Sequence, residues 1–347
     1  MSGTEVAGVG IDAARLGGWI AATLGGAAAP VQVVRLKGGQ SNPTYLVTRG
    51  RDRYVLRRKP SGALVPSAHA VDREYRVMAA LAGSDVPVAR VHALCEDDSV
   101  IGTAFYLMEF VEGRVLWDPA LPGVNAAERG RMYDELNRVI AALHAVDPGA
   151  VGLTDYGRRG EYIVRQVTRW SRQYQASRTE DIDAMDRLIA WLPEHVPADD
   201  ETRIVHGDYR LDNVIFHPSE PRILAVLDWE LSTLGHPLAD FAYHCMVWRV
   251  EPGVFRGLAG HDLGMLGIPT EAEHVAAYCR RTARPGITMR DWEYYMAFNM
   301  FRLAAIMQGI MARALSGTAA GSEALEMGRR ARPLAELAWR QVERLQS

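Results

Sequence analysis

Between His206 and Phe216 the sequence reads HGDYRLDNVIF, with Asp208 followed five positions later by Asn213. An Asp and an Asn at this separation in one tight loop suit phosphoryl transfer. That reaction needs a carboxylate to accept or orient the proton of an attacking hydroxyl, and an oxygen ligand for a cation on the triphosphate. Asp208 fits the first role and Asn213 the second. Arg210 is placed to offset charge that develops on the transferred phosphoryl group, and His206 to brace the loop by hydrogen bonding. A second oxygen ligand follows in LDWE, where Asp228 ends the apolar run 223–227. Mg2+ takes oxygen ligands and keeps several waters, so one carboxylate beside one amide is a sufficient protein contribution. Glu230 is open between a supporting position near that site and the surface. Asp240, in GHPLADFAY, is open between anchoring the loop and capping a helix.

Nucleotide-binding features are expected upstream. KGGQSNPTYLV lies between two strand-like runs, where Gly38 and Gly39 permit a close turn over phosphates and Ser41 and Asn42 add hydrogen-bonding groups. An ordinary glycine hairpin turn reads the same way. The next run ends LRRKP, and a cation there would hold phosphates while pairing with a carboxylate on the following helix. Arg57 and Glu74 fit, although strand alternation gives Lys59 the same face as Arg57. In FYLMEFVEG the backbone from Glu109 to Val111 is suited to adenine, with Met108 and Val55 as apolar walls.

These groups need elements to hold them. Apolar periodicity predicts an opening helix through Ile11, Leu16, Ile20 and Leu24, strands over 31–36, 44–48 and 53–57, a helix over 68–81, and strands over 88–94 and 103–110. Beyond Glu112-Gly113 the pattern turns helical, with candidates at 126–146, 158–177, 180–195, 289–315 and 323–345, and short strands near 205, 214–216 and 223–227. The expectation is an α+β fold of two parts. Residues 1–112 form a five-stranded antiparallel nucleotide-binding lobe, and residues 113–347 a mainly helical catalytic lobe.

With HGDYRLDN and LDWE in this order and separation, the chain resembles the aminoglycoside phosphotransferase and choline kinase group of protein-kinase-like enzymes over residues 30–315. LRRKPSGALVPSAHAVDREYRVMAAL, LSTLGHPLADFAY and NMFRLAAIMQGIMARA are most similar to the kinase-like domain fused to acyl-CoA dehydrogenase family members 10 and 11 and to its free-standing bacterial relatives. The resemblance implies ATP and Mg2+, a base at Asp208, metal ligands at Asn213 and Asp228, and a small hydroxylated substrate. Arg57 departs from it, because many relatives carry Lys there, and the two cations grip phosphate differently. By the same resemblance the helix around Asn299 and Arg302 lies beside the acceptor, which leaves Arg302 open between holding a carboxylate or phosphate of the acceptor and a buried pairing with an internal carboxylate such as Asp240; the closer relatives point to a hydroxy acid or its CoA thioester. An antibiotic acceptor and a nucleotide-binding pseudokinase are the other readings.

Composition narrows the field further. The 347 residues are 48% hydrophobic and 23% charged with a net charge of −3, which points to no nucleic acid, polycation or anionic membrane as partner. Cys95, Cys245 and Cys279 lack zinc or disulfide spacing, and no signal peptide or membrane span is read, so a cytoplasmic setting is expected.

Overall fold

Apolar and polar residues alternate through the first strands, and that alternation gives the sheet two different faces. The computed structural model describes residues 10–27, 29–36, 42–60, 70–317 and 322–346. Its strands β1 (Gln32–Arg35), β2 (Thr44–Arg49), β3 (Asp52–Arg58), β4 (Val91–Cys95) and β5 (Phe105–Glu109) form an antiparallel sheet in the order β1-β2-β3-β5-β4. One face carries Tyr45, Val47, Leu56, Phe105 and Leu107. On it packs helix α1 (Ala13–Leu24) through Leu16 and Ile20. Asp12 caps α1 by accepting from the amides of Ala14 and Arg15, and Gly25, at φ +84°, ends it.

The other face is set by cross-strand register: Leu46, Val55 and Met108 lie abreast, as do Thr44, Arg57 and Tyr106. Helix α2 (Val71–Leu81) supplies Glu74 to the Arg57 row, and the short α3 (Asp98–Ile101) joins β4 to β5. The hairpin of β7 (Val214–Phe216) and β8 (Ile223–Val226) belongs to the same unit. Val226 bridges to Val88 and Phe216 to Arg114. Gly113 makes the second bridge possible, since a Cβ there would lie 2.3 Å from the Phe216 carbonyl oxygen. The first unit is thus Met1–Arg114, Val151–Leu153 and Asn213–Ser232. Residues 213–232 group with it and not with the second unit, where a division at 112/113 would put them.

The second unit, Val115–Ala150, Thr154–Asp212 and Thr233–Ser347, is mainly helical. It contains α4 (Ala126–Ala145), α5 (Tyr162–Ala176), α6 (Asp183–Glu194), α7 (Pro237–Cys245), the short α8 (Pro252–Phe255) and α9 (Leu263–Leu266), α10 (Glu271–Arg281), α11 (Met289–Leu315), α12 (Ser322–Gly328) and α13 (Ala331–Gln346). Strands β6 (Arg203–Val205) and β9 (Thr233–Gly235) pair beside them. Helix α11 is buried from Trp292 to Ala305 and packs against α5, α6, α7 and α13. The single helix expected over 323–345 is two. Gly328 packs so closely on Met311 that a Cβ would lie 2.6 Å from that side chain, and Pro333 sits in the first turn of α13, where its missing amide is harmless. Among the described residues no helix is long and apolar enough to cross a membrane.

Candidate active site

The first unit gathers charge around Arg57. Its Nε lies 2.9 Å from Glu74 Oε2, and its Nη2 2.5 Å from Asp228 Oδ1 and 3.5 Å from Glu230 Oε2. Glu74 also accepts from Asn42 Nδ2 at 2.6 Å and from the Tyr106 hydroxyl at 3.0 Å. Burial pushes the Glu74 carboxyl up, to about 7, against the pull of Arg57, Tyr106 and Asn42. Arg57 remains a cation well above the ordinary arginine value: burial works against its charge, and Glu74 and Asp228 outweigh burial. Lys59 instead faces the more exposed Asp72 at 3.7 Å, so Arg57 and not Lys59 is the partner of Glu74.

Strand register brings Asn213 and Asp228 together. The Leu227 amide donates to the Asn213 carbonyl at 2.8 Å, which puts Asp228 one residue beyond the partner of Asn213. Asp228 turns the chain out of β8 with φ +63°, a left-handed conformation that Asp tolerates better than most residues. Among the described residues no group of three or more His, Cys, Asp or Glu gathers to hold a metal. One amide oxygen beside one carboxylate fits Mg2+, which draws its remaining ligands from water and phosphate.

The second unit holds Asp208 on a loop with its backbone fixed from two sides. Asp240, on α7, accepts from the amides of His206 at 2.7 Å and Gly207 at 2.8 Å and lies 3.2 Å from His144 Nε2. Burial works to raise the Asp240 carboxyl, but the His144 bond and the amide donor outweigh it and keep it below the usual carboxylate range. From the other side Arg302 Nη2 donates to the Gly207 carbonyl at 2.6 Å. Gly207 sits at φ +82°, which only glycine adopts without strain. The Asp208 amide donates to His206 Nδ1 at 3.2 Å, so His206 braces the loop. The Asp208 carboxylate accepts from the Tyr243 hydroxyl at 2.6 Å and pairs with Arg210 Nε at 3.1 Å.

Several expectations change. Gly39 and Ser41 lie outside the described residues. Asn42 is fully buried and holds Glu74 in place. The Glu109 amide donates to the Arg90 carbonyl at 2.9 Å, so it is not open to adenine, whereas the backbone of Val111 has no hydrogen bond among the described residues. Val55 and Met108 stand opposite each other on the Arg57 face. Asn299 and Arg302 do share a helix face, but both are buried. Asn299 donates to the carbonyls of Ala239 and Tyr295, while Arg302 holds the loop carbonyl and lies over the rings of Tyr243 and Trp170. Of the two readings of this pair the buried one fits, because α11 is enclosed where they stand, but the partner of Arg302 is a loop carbonyl and not an internal carboxylate. Sequence reasoning missed Tyr243. It stands three residues after Asp240 on α7, a spacing that turns both toward the Asp208 loop. It also missed Tyr106, which is opposite Arg57 across the β3–β5 register.

The model of the phosphotransferase enzyme family matches residues 32–284. Acyl-CoA dehydrogenase family member 10 of Mus musculus is 48% identical over 312 residues, covering 89% of this chain and 29% of that protein. Family member 11 of Rattus norvegicus is 43% identical over 314 residues, covering 89% of this chain and 40% of its own. The chain therefore spans well under half the length of these relatives. The crystal structure of a candidate aminoglycoside phosphotransferase from Ralstonia eutropha is 56% identical with a TM-score of 0.88, covering 96% of this chain and 98% of that one. A choline kinase from Cryptosporidium parvum, at 12% identity and TM-score 0.63 over 91% of this chain and 90% of its own, shares the fold alone. On the family match and these identities, the chain belongs to the phosphotransferase enzyme family and is a small-molecule kinase of protein-kinase-like fold.

Proposed function

We propose that the chain transfers the γ-phosphate of ATP to a hydroxyl of a small metabolite, with hydroxy acids and hydroxyacyl-CoAs as the favoured acceptors. The observation that carries this reading is the setting of Asp208. Its carboxylate is held by Tyr243 and Arg210 on a loop anchored by Asp240 through the amides of His206 and Gly207, so a hydroxyl meets an acceptor of fixed direction. In the reaction the hydroxyl oxygen bonds to the γ-phosphorus, the bond to the bridging oxygen of ADP breaks, and Asp208 takes the hydroxyl proton. Arg210 offsets charge on the phosphoryl oxygens. Mg2+, held by Asn213 and Asp228, would neutralise the triphosphate when bound. Arg57 supplies phosphate contact from its place between Glu74 and Asp228, and Val111 offers backbone groups to adenine.

The acceptor class rests on the relatives named as acyl-CoA dehydrogenases, whose own substrates are acyl thioesters by name. The description of the Ralstonia eutropha protein supports a second reading, an aminoglycoside acceptor. ATP consumption measured with hydroxy acids, hydroxyacyl-CoAs, choline and aminoglycosides separates the two. Turnover confined to the first two classes is expected. Turnover on aminoglycosides alone would replace the acceptor class, and MgATP binding without turnover on any of them would make the chain a nucleotide-binding regulator.

A further inference from the structure

Within the second unit, the loop after Val115, helix α4, the end of α7 and helix α8 line a cavity that opens to solvent at its mouth. Tyr133, Leu136, Met246, Val247, Val250 and Phe255 make most of its wall apolar. The polar part is Arg210, Asp212, Tyr243, His244 and Arg256. Two of these, Tyr243 and Arg210, are the groups that hold Asp208, so the apolar space begins where the reacting hydroxyl would be presented. Asp212 is its one carboxylate, and it is paired with both Arg210 at 3.3 Å and Arg256 at 2.5 Å. At the mouth the Arg256 guanidinium lies 4.7 Å above the ring of Trp117, which is 56% exposed.

A mostly apolar cavity with a few converging polar groups is the ordinary form of a small-molecule site. A polyamine would need carboxylates free to meet it and would face two guanidiniums here. We propose that this cavity binds the apolar body of the acceptor, that Val247, Val250 and Phe255 set the length it accommodates, and that Trp117 with Arg256 covers the outer end. The proposal rests on the reading of Asp208 as the group that receives the acceptor's hydroxyl, and it adds that the acceptor carries an acyl chain or ring beside that hydroxyl. The apolar wall rewards each added methylene with area removed from water.

The test is calorimetric titration of the full chain, without nucleotide, with straight-chain hydroxycarboxylates from hydroxybutyrate to hydroxydodecanoate. Kd should fall about threefold to fourfold per methylene until the cavity is filled. Val247 is half-buried in the wall, and Val247→Trp should end that gain several carbons earlier. Trp117→Ala, at an exposed position that tolerates change, should weaken the longest probes and leave the shortest unaffected. A flat series in the wild type, absence of binding by every probe, or an unchanged series in both folded variants overturns the assignment. Parallel assays of ATP consumption keep the two readings apart. Length-dependent binding without phosphorylation would sink the transfer reaction while supporting the cavity, and phosphorylation indifferent to chain length would sink the cavity alone.

Discussion

Two buried carboxylates, one in each unit, are held in opposite ways. Asp240 faces two backbone amides and an imidazole, and these keep its carboxyl below the usual range although it is buried. Glu74 is as deeply buried, yet its partners are side chains, and burial wins, raising it to about 7. Backbone amides cannot turn away, so Asp240 is held toward its charged form and fixes a loop. Side chains can exchange partners, and Arg57 is already shared among Glu74, Asp228 and Glu230. The Asp208 loop is therefore fixed in direction, whereas the Arg57 cluster can redistribute charge among its own members.

The effects that would break this contrast can be ranked. Asp208→Asn keeps the side chain's shape and removes the proton acceptor, so kcat should fall by about two orders of magnitude or more, with the thermal shift caused by MgATP retained. Turnover near wild type would remove the role. Asp240→Ala strips the acceptor from two buried amides, and urea unfolding should register a loss of roughly 3 kcal/mol or more. A loss under about 1 kcal/mol would mean that water or another group serves the amides as well.

Arg57→Ala should be less uniform, because its cost depends on the charge of Glu74. The folded-state value of Glu74 lies above its unfolded value, so the fold favours its protonated form; that contribution is complete below about 4.5 and is lost as pH rises through about 7. At pH 8 the variant leaves a buried carboxylate without its cation and should lose roughly 3–5 kcal/mol. At pH 5 the carboxyl is neutral and the loss should be markedly smaller. A double-mutant cycle with Glu74→Gln should be non-additive at the higher pH; additivity there would dissolve the pair. Tyr243→Phe is the mildest change. Asp208 loses one hydrogen bond and keeps Arg210, so kcat should drop by about tenfold with the KM for ATP unchanged, and a drop as deep as that of Asp208→Asn would make Tyr243 part of the chemistry.

What was legible in the sequence was local. HGDYRLDN and LDWE lie within short segments, and the pairing of Asn213 with Leu227 follows from the hairpin between them. The helix of Glu74 and the strand of Arg57 showed in their periodicity. Long-range choices did not. Nothing in the strands states that β5 inserts between β3 and β4, which is what sets Tyr106 opposite Arg57. The three-residue β9 is too short for alternation to show. Asn299 and Arg302 share one face, but the sequence leaves their surroundings open, because a polar pair within an apolar run looks the same at a cleft as inside a helix packed on several sides. Tyr243 lies in a helix buried along its whole length, where sequence alone does not separate it from core, and only its place on α7 beside Asp240 brings it to the same loop.

The proposed reaction passes the phosphoryl group to an organic hydroxyl under the direction of Asp208. Phosphorus NMR of the full chain incubated with MgATP and a hydroxycarboxylate tests it most directly. A phosphate monoester signal should grow in step with ADP and be lost in Asp208→Asn. Inorganic phosphate as the sole product, or a monoester formed equally well by that variant, would contradict it.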